Sequence, residues 1–161
     1  MSTQQQMNTL SDKAASKLND LIQLNIDSAK GFREAADAID DQKGAALKNL
    51  FLDIANRRES YVVELKQSVN FKSDKKPEDD GSVKGTMHRW WLDARAKLNA
   101  GDPTVVLIEA ERGEDAIKER YEEVLKETSG SPVNDLLLRQ YSGVKAGHDR
   151  IRDLRDQWKK K

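Results

Sequence analysis

Residues 102–127 read DPTVVLIEAERGEDAIKERYEEVLKE, and this stretch decides the fold. Asp102 can accept the free amide hydrogens of a helical first turn, and Pro103 suits the first helical position, where no amide hydrogen is needed. Beyond them Val106, Ala110, Gly113, Ile117, Tyr121 and Val124 recur at steps of three and four, with Leu107 and Leu125 widening the line. That is the period of one helical face. A glycine inside a helix costs about 1 kcal/mol relative to alanine, so Gly113 on the inner line points to close approach of a neighbouring helix.

The same period extends outward in both directions. Ser131-Pro132 repeats the cap-then-proline device before a stripe of Val133, Leu137, Gln140, Val144, His148, Ile151, Leu154 and Trp158. Toward the N-terminus, Leu18, Leu21, Ile22, Ala29, Phe32, Ala36 and Ile39 line one face of a segment running from about Ser11 to Asp40. Gly44 marks a connection, after which Leu47, Leu50, Phe51, Ile54, Tyr61, Val62, Leu65 and Val69 form a further stripe. Lys72 to Gly81 (KSDKKPEDDG) has no apolar residue and reads as an exposed loop. Ser82 then caps a shorter helix with Val83, Met87, Trp90 or Trp91, Ala94 and Leu98 inward, ended by Gly101. No alternating β pattern occurs. The expected fold is all-α, an antiparallel four-helix bundle with an extra short helix between the second and third long helices. One domain over residues 11–161 follows a flexible start, residues 1–10.

Composition fits that architecture. A hydrophobic share of 37% with a charged share of 35% suits long helices that bury one face and solvate the rest. Twenty-eight basic and twenty-eight acidic residues cancel, which leaves no global field for nucleic acid or an anionic membrane. Lys159 to Lys161 make the end locally basic, as a solvated helix end complementing the macrodipole would be. The absence of cysteine removes disulfides, thiolate metal sites and cysteine nucleophiles. Met1 to Thr9 lacks the basic and apolar regions of a signal peptide, and the longest aliphatic run, Val105 to Ile108, is too short to span a bilayer. The expectation is a soluble cytoplasmic protein that binds neither nucleic acid nor membrane.

Four-helix bundles can hold two metal ions at their centre with a glutamate from each of two helices and a Glu-x-x-His pair from each of the other two. The bridging carboxylates screen the repulsion between the ions, and the histidines complete each site. In this chain the first helix offers Asn25 and Ala29 on its stripe, with Asp27 to one side. The second carries Arg58-x-x-Tyr61 where Glu-x-x-His would stand, and a guanidinium repels a cation. The third offers Glu109, Glu111 and Glu114, and the fourth Lys145-x-x-His148.

The stretches LNDLIQLNIDSAKGFREAADAI (18–39), LFLDIANRRESYVVEL (50–65), SVKGTMHRWWLDARAKLNAGD (82–102), EAERGEDAIKERYEEVL (109–125) and GVKAGHDRIRDLRDQW (143–158) resemble a bacterial family of ferritin-like four-helix-bundle proteins with no assigned activity. GFREAA, ERGED and HDRIRDLRD are the most distinctive pieces. The resemblance implies a ferritin-like bundle. Of the ferritin-like ligand pattern, one helix-three glutamate (Glu111 or Glu114) and His148 match, while Arg58, Tyr61 and Lys145 depart from it. No cofactor is therefore expected, and iron or manganese held by Glu111, Glu114 and His148 is the alternative. The same residues admit a polar core cluster in which Arg58 pairs with a third-helix glutamate beside Tyr61 and His148, a guanidinium standing where metal charge would be.

Elsewhere, His88 with Trp90 and Trp91 forms a local group whose tryptophans suit packing on the bundle or a homo-oligomer interface. There is no nucleophile elbow or phosphate-cradling glycine loop, and the two histidines lack metal-ligand spacing. The function expected is that of a non-enzymatic bundle, self-associating or stress-related, with a degenerate di-metal centre. The rival is a metal-binding oxidoreductase.

Overall fold

The computed structural model describes residues 12–37, 39, 41–70 and 103–159. They form four helices, α1 (Asp12–Asp37), α2 (Asp41–Asn70), α3 (Pro103–Glu127) and α4 (Val133–Lys159), and no strand occurs among the described residues. The N-terminal ten residues, the expected short helix after Ser82, and His88, Trp90 and Trp91 lie outside them.

The helix ends follow local chemistry. Pro103 opens α3, in keeping with its missing amide hydrogen. At the other end, Thr128 turns its hydroxyl back to the Val124 carbonyl at 3.0 Å, and Gly130 takes the left-handed conformation (φ 82°) that reverses the chain. Ser131 Oγ accepts the Val133 amide at 3.4 Å, while the Asn134 side chain donates back to the Leu125 carbonyl at 3.2 Å, tying the start of α4 to the end of α3.

Gly44 breaks the helical conformation, with φ −131° and ψ 27°, so α2 is two helical pieces joined at a kink where the sequence marks a connection. The chain turns earlier, where the Ile39 amide donates to the Ala36 carbonyl at 3.2 Å. A Cβ at Gly44 would overlap the Ile39 side chain, so the glycine makes room for that turn rather than forming it.

Inter-helix pairs fix the directions. Asn25 with Tyr121 and Lys13 with Glu127 make α1 and α3 antiparallel. Asp53 with Arg150 and Glu64 with Arg139 do the same for α2 and α4, and Tyr121 with Gln140 and Glu111 with His148 for α3 and α4. Because α1 and α2 also form an antiparallel hairpin, closed by Ile39 and the Phe32–Phe51 edge contact at 5.1 Å, α2 and α3 run in the same direction. Asn70 and Pro103 therefore belong to opposite ends of the bundle. Leu18, Leu21 and Phe32 of α1, Phe51, Ile54 and Leu65 of α2, Leu107 and Ile117 of α3, and Leu137 and Ile151 of α4 fill the interior. Among the described residues, no helix is long and apolar enough to cross a membrane.

Candidate functional site

Polar groups interrupt this core in two layers. The first is neutral and links all four helices. Asn25 Nδ2 donates to the Leu21 carbonyl at 2.8 Å and to the Tyr121 hydroxyl at 2.9 Å. Tyr121 passes the chain on, donating to Gln140 Oε1 at 2.8 Å, and Gln140 Nε2 donates to Glu64 Oε1 at 3.3 Å and the Tyr61 carbonyl at 3.4 Å. Asn25, Tyr121 and Gln140 are all fully buried. Burial pushes the Tyr121 hydroxyl above the ordinary phenol range, the hydrogen bond from Asn25 offsetting only part of that effect. The tyrosine therefore stays a neutral donor.

The second layer is ionic. Glu114 on α3 and Gly147 on α4 stand seven residues from Tyr121 and Gln140, about 10 Å along each helix. Arg58 reaches across the bundle from α2 and donates to Glu114 Oε2; both residues are 1% exposed. The Tyr61 ring lies beside the guanidinium, 5.8 Å from its carbon to the ring centre, within cation–π range. Two glycines of α4 face this packing, and one of them is required by it. A Cβ at Gly143 would overlap the Tyr61 hydroxyl, and one at Gly147 would stand 3.5 Å from the Arg58 guanidinium. The glycines are one turn apart on α4 and receive two α2 side chains that are also about one turn apart.

Burial leaves this layer imperfectly satisfied. Arg58 Nε and Glu114 Oε1 have no hydrogen-bond partner, nor do Asn25 Oδ1 and Ser28 Oγ on α1. Burial is the largest influence on Glu114 and holds its carboxyl above the usual glutamate range, against the pull of Arg58 and His148.

The residues singled out from sequence fall into two groups. Arg58, Tyr61 and Glu114 meet in the core. Glu111 and His148 form a separate cluster toward the rim, where His148 Nε2 lies 2.9 Å from Asp115 and 3.5 Å from Glu111, and Nδ1 lies 3.2 Å from Asp149. Arg155 also pairs with Glu111. The His148 side chain is 15% exposed, and its neighbour Gly147 takes the interior place on α4. Contact with His148 holds the Asp149 carboxyl below its ordinary range. The neutral layer was not anticipated as a unit, although Asn25 and Gln140 both stand on apolar stripes, which is its sequence signal.

These side chains do not fit a di-metal centre. Of the two buried α3 carboxylates, Glu114 is paired with Arg58 and Glu109 lies 3.7 Å from Arg112; α1 presents Asn25 and Ser28 at its middle turn, and the rim carboxylate Glu111 is shared by Arg155 and His148. Among the described residues no group of three or more histidines, cysteines or acids is arranged to hold a metal ion.

Among the described residues, fold and site together define an all-α, four-helix arrangement with an arginine–glutamate pair buried across its centre. Residues 13–127, from α1 through α3, match the family described as a domain of unknown function (DUF2383), and the chain belongs to that family. No curated protein matches the chain.

Proposed function

We propose that this chain is a non-enzymatic, ferritin-like bundle in which the Arg58–Glu114 pair does the structural work that bridging metals do in a di-metal bundle. The direction of the helices, with one long connection between α2 and α3, supports the ferritin-like reading. The observation that carries the proposal is the burial of Arg58 at 1% exposure with its charge directed at Glu114. A fixed cation there both neutralises the interior carboxylate and repels a divalent ion. Self-association is the role such a scaffold can fill, and Val63, Leu138 and Ile26 offer exposed apolar side chains for it. A stress-related role rests on likeness to ferritin-like proteins, an argument from fold alone.

Metal analysis of protein purified without chelator, after supplementation with iron and manganese, tests this reading. The expected result is sub-stoichiometric metal that is unchanged by His148→Ala. Stoichiometric metal lost in His148→Ala would instead establish a metal-binding protein using Glu111, Glu114 and His148. Light scattering across a dilution series tests self-association, and a strict monomer at all concentrations removes that part of the proposal.

A further inference from the structure

The seam between α2 and α4 contains a cavity of about 70 Å³ bordered by Arg57, Arg58 and Arg150, with Gly143, Ala146 and Gly147 giving it room on the α4 side. A single water needs only about 10–15 Å³ by the same kind of measure, so the space admits a larger polar group. Three guanidiniums around one small cavity repel one another unless anions balance them. Their partners do not balance them. Arg57 Nε and Arg150 both donate to the same oxygen of Asp53, at 3.2 and 2.6 Å, and Arg58 pairs with Glu114. Three positive charges thus face two carboxylates among the described residues. Arg58 is the buried member of the set, 1% exposed, and its Nε hydrogen finds no acceptor. A buried guanidinium donor left unmade is costly, and the residue that carries it borders the cavity.

We propose that this seam binds a small tetrahedral oxyanion of the phosphate or sulfate class. Arg58 holds it from the interior, and Arg57 and Arg150 close on it from the surface. Guanidinium suits the task because its planar fork presents paired donors to the oxygens of such an anion. Asp53 competes with the anion for Arg57 and Arg150, which makes it a tuning residue of the site. The phosphoryl group could be free phosphate or the end of a phosphomonoester entering from the exposed Arg57 and Arg150 side, since both arginines are about half exposed.

Titration of the full chain at constant ionic strength, followed by ³¹P NMR and calorimetry, tests this with inorganic phosphate in one arm and phenyl phosphate in the other. The site predicts saturable binding in at least one arm, and the stronger arm identifies the source. Arg57→Gln/Arg150→Gln should keep the helical signal, because both side chains are largely outside the core, and weaken binding roughly tenfold or more, the scale of losing charge-assisted hydrogen bonds. Asp53→Asn should tighten binding by freeing both arginines. Absence of saturable binding in both arms overturns the proposal, as does binding that Arg57→Gln/Arg150→Gln leaves unchanged.

Discussion

Of the arginine–glutamate pairs that join helices in this bundle, one at the surface and one in the core behave in opposite ways because of their surroundings. Arg33 of α1 grips Glu59 of α2 with two hydrogen bonds at 2.7 and 2.8 Å and adds one to Asn56, all at the surface. Arg58 of α2 reaches Glu114 of α3 in a core where neither side chain is more than 2% exposed. The hydrogen bond from Arg33 holds Glu59 below the ordinary glutamate range, whereas burial holds Glu114 above it. The same chemistry therefore favours the charged carboxylate at the surface and disfavours it inside. Water around the outer pair removes most of the cost of charging it; the inner pair has, besides itself, only the Tyr61 ring close by and leaves Arg58 Nε and Glu114 Oε1 unmade.

Removing one inner partner should produce the largest effect in the molecule. Glu114→Met leaves a guanidinium buried without a counter-charge and should cost about 3–5 kcal/mol in urea unfolding. Arg58→Met should cost less at neutral pH, because Glu114 can take up a proton and become neutral where Arg58 cannot lose one. Arg58→Met/Glu114→Met should recover most of the stability, since apolar replacement of a whole buried pair is often neutral or favourable. An additive double variant would show that the two residues are not coupled. If Arg58→Met alone left stability and oligomeric state unchanged, the central pair would have no structural role.

The neutral layer supplies the next comparison. Tyr121→Phe removes the donor to Gln140 and the acceptor for Asn25 while leaving the ring in place, and should cost about 1–3 kcal/mol. A smaller loss than for Glu114→Met, measured under the same conditions, would confirm that charge and not polarity makes the central layer expensive. The α4 glycines should separate as well. At Gly143 an alanine methyl would overlap the Tyr61 hydroxyl, so Gly143→Ala should destabilise by about 1–2 kcal/mol through overpacking. The corresponding atom at Gly147 meets neighbours no closer than 3.4 Å, so Gly147→Ala should be neutral or stabilising by up to about 1 kcal/mol. Equal effects at the two positions would remove the account of α4 as a surface fitted to Tyr61.

The helices were legible because their apolar residues keep one period over many turns, and Val106, Ala110, Ile117, Tyr121 and Val124 are all buried as the α3 stripe requires. Arg58 stands on the line through Ile54 and Tyr61, and its burial follows from that position. The side chain that fills the α4 interior was not legible in the same way. From Val144 to Ile151 the stripe can step through 147 or 148, both being helical spacing, and an apolar pattern cannot choose between glycine and histidine. Packing makes the choice: a Cβ at 147 would already touch Glu114 and Arg58, at 3.4 and 3.5 Å, so a residue without a long side chain suits that interior place, and His148 turns to the acids at the rim. Likewise the link from Asn25 through Tyr121 to Gln140 joins residues far apart in sequence and depends on helix directions that no single stripe encodes.

The outer pair should respond least to substitution, and its carboxylate contributes to stability with the opposite dependence on pH. Arg33→Gln should leave the urea midpoint nearly unchanged in moderate salt, because an exposed ion pair gives back in side-chain entropy and screening much of what it gains. Its small contribution has a definite sign. A carboxylate held below its unfolded range, as Glu59 is, stabilises the fold above the ordinary glutamate range, and that stability is lost as pH falls through the folded value. Glu114, held above its unfolded range, behaves inversely: its contribution is fully present below the ordinary glutamate value and is lost as pH rises through the folded one. Comparing each variant with the parent chain across acid to neutral pH reads what each arginine does for its carboxylate, and that changes in the same direction for both pairs. The parent's advantage over Arg33→Gln should shrink on acidification, while the penalty of Arg58→Met should also shrink, there because a protonated Glu114 no longer needs a cation. Raising the salt concentration separates the two, since it should reduce the Arg33→Gln effect and leave that of Arg58→Met nearly intact behind a core that ions do not enter. Equal salt sensitivity would mean that Arg58 and Glu114 are in contact with solvent, and the contrast between the inner and outer pairs would collapse.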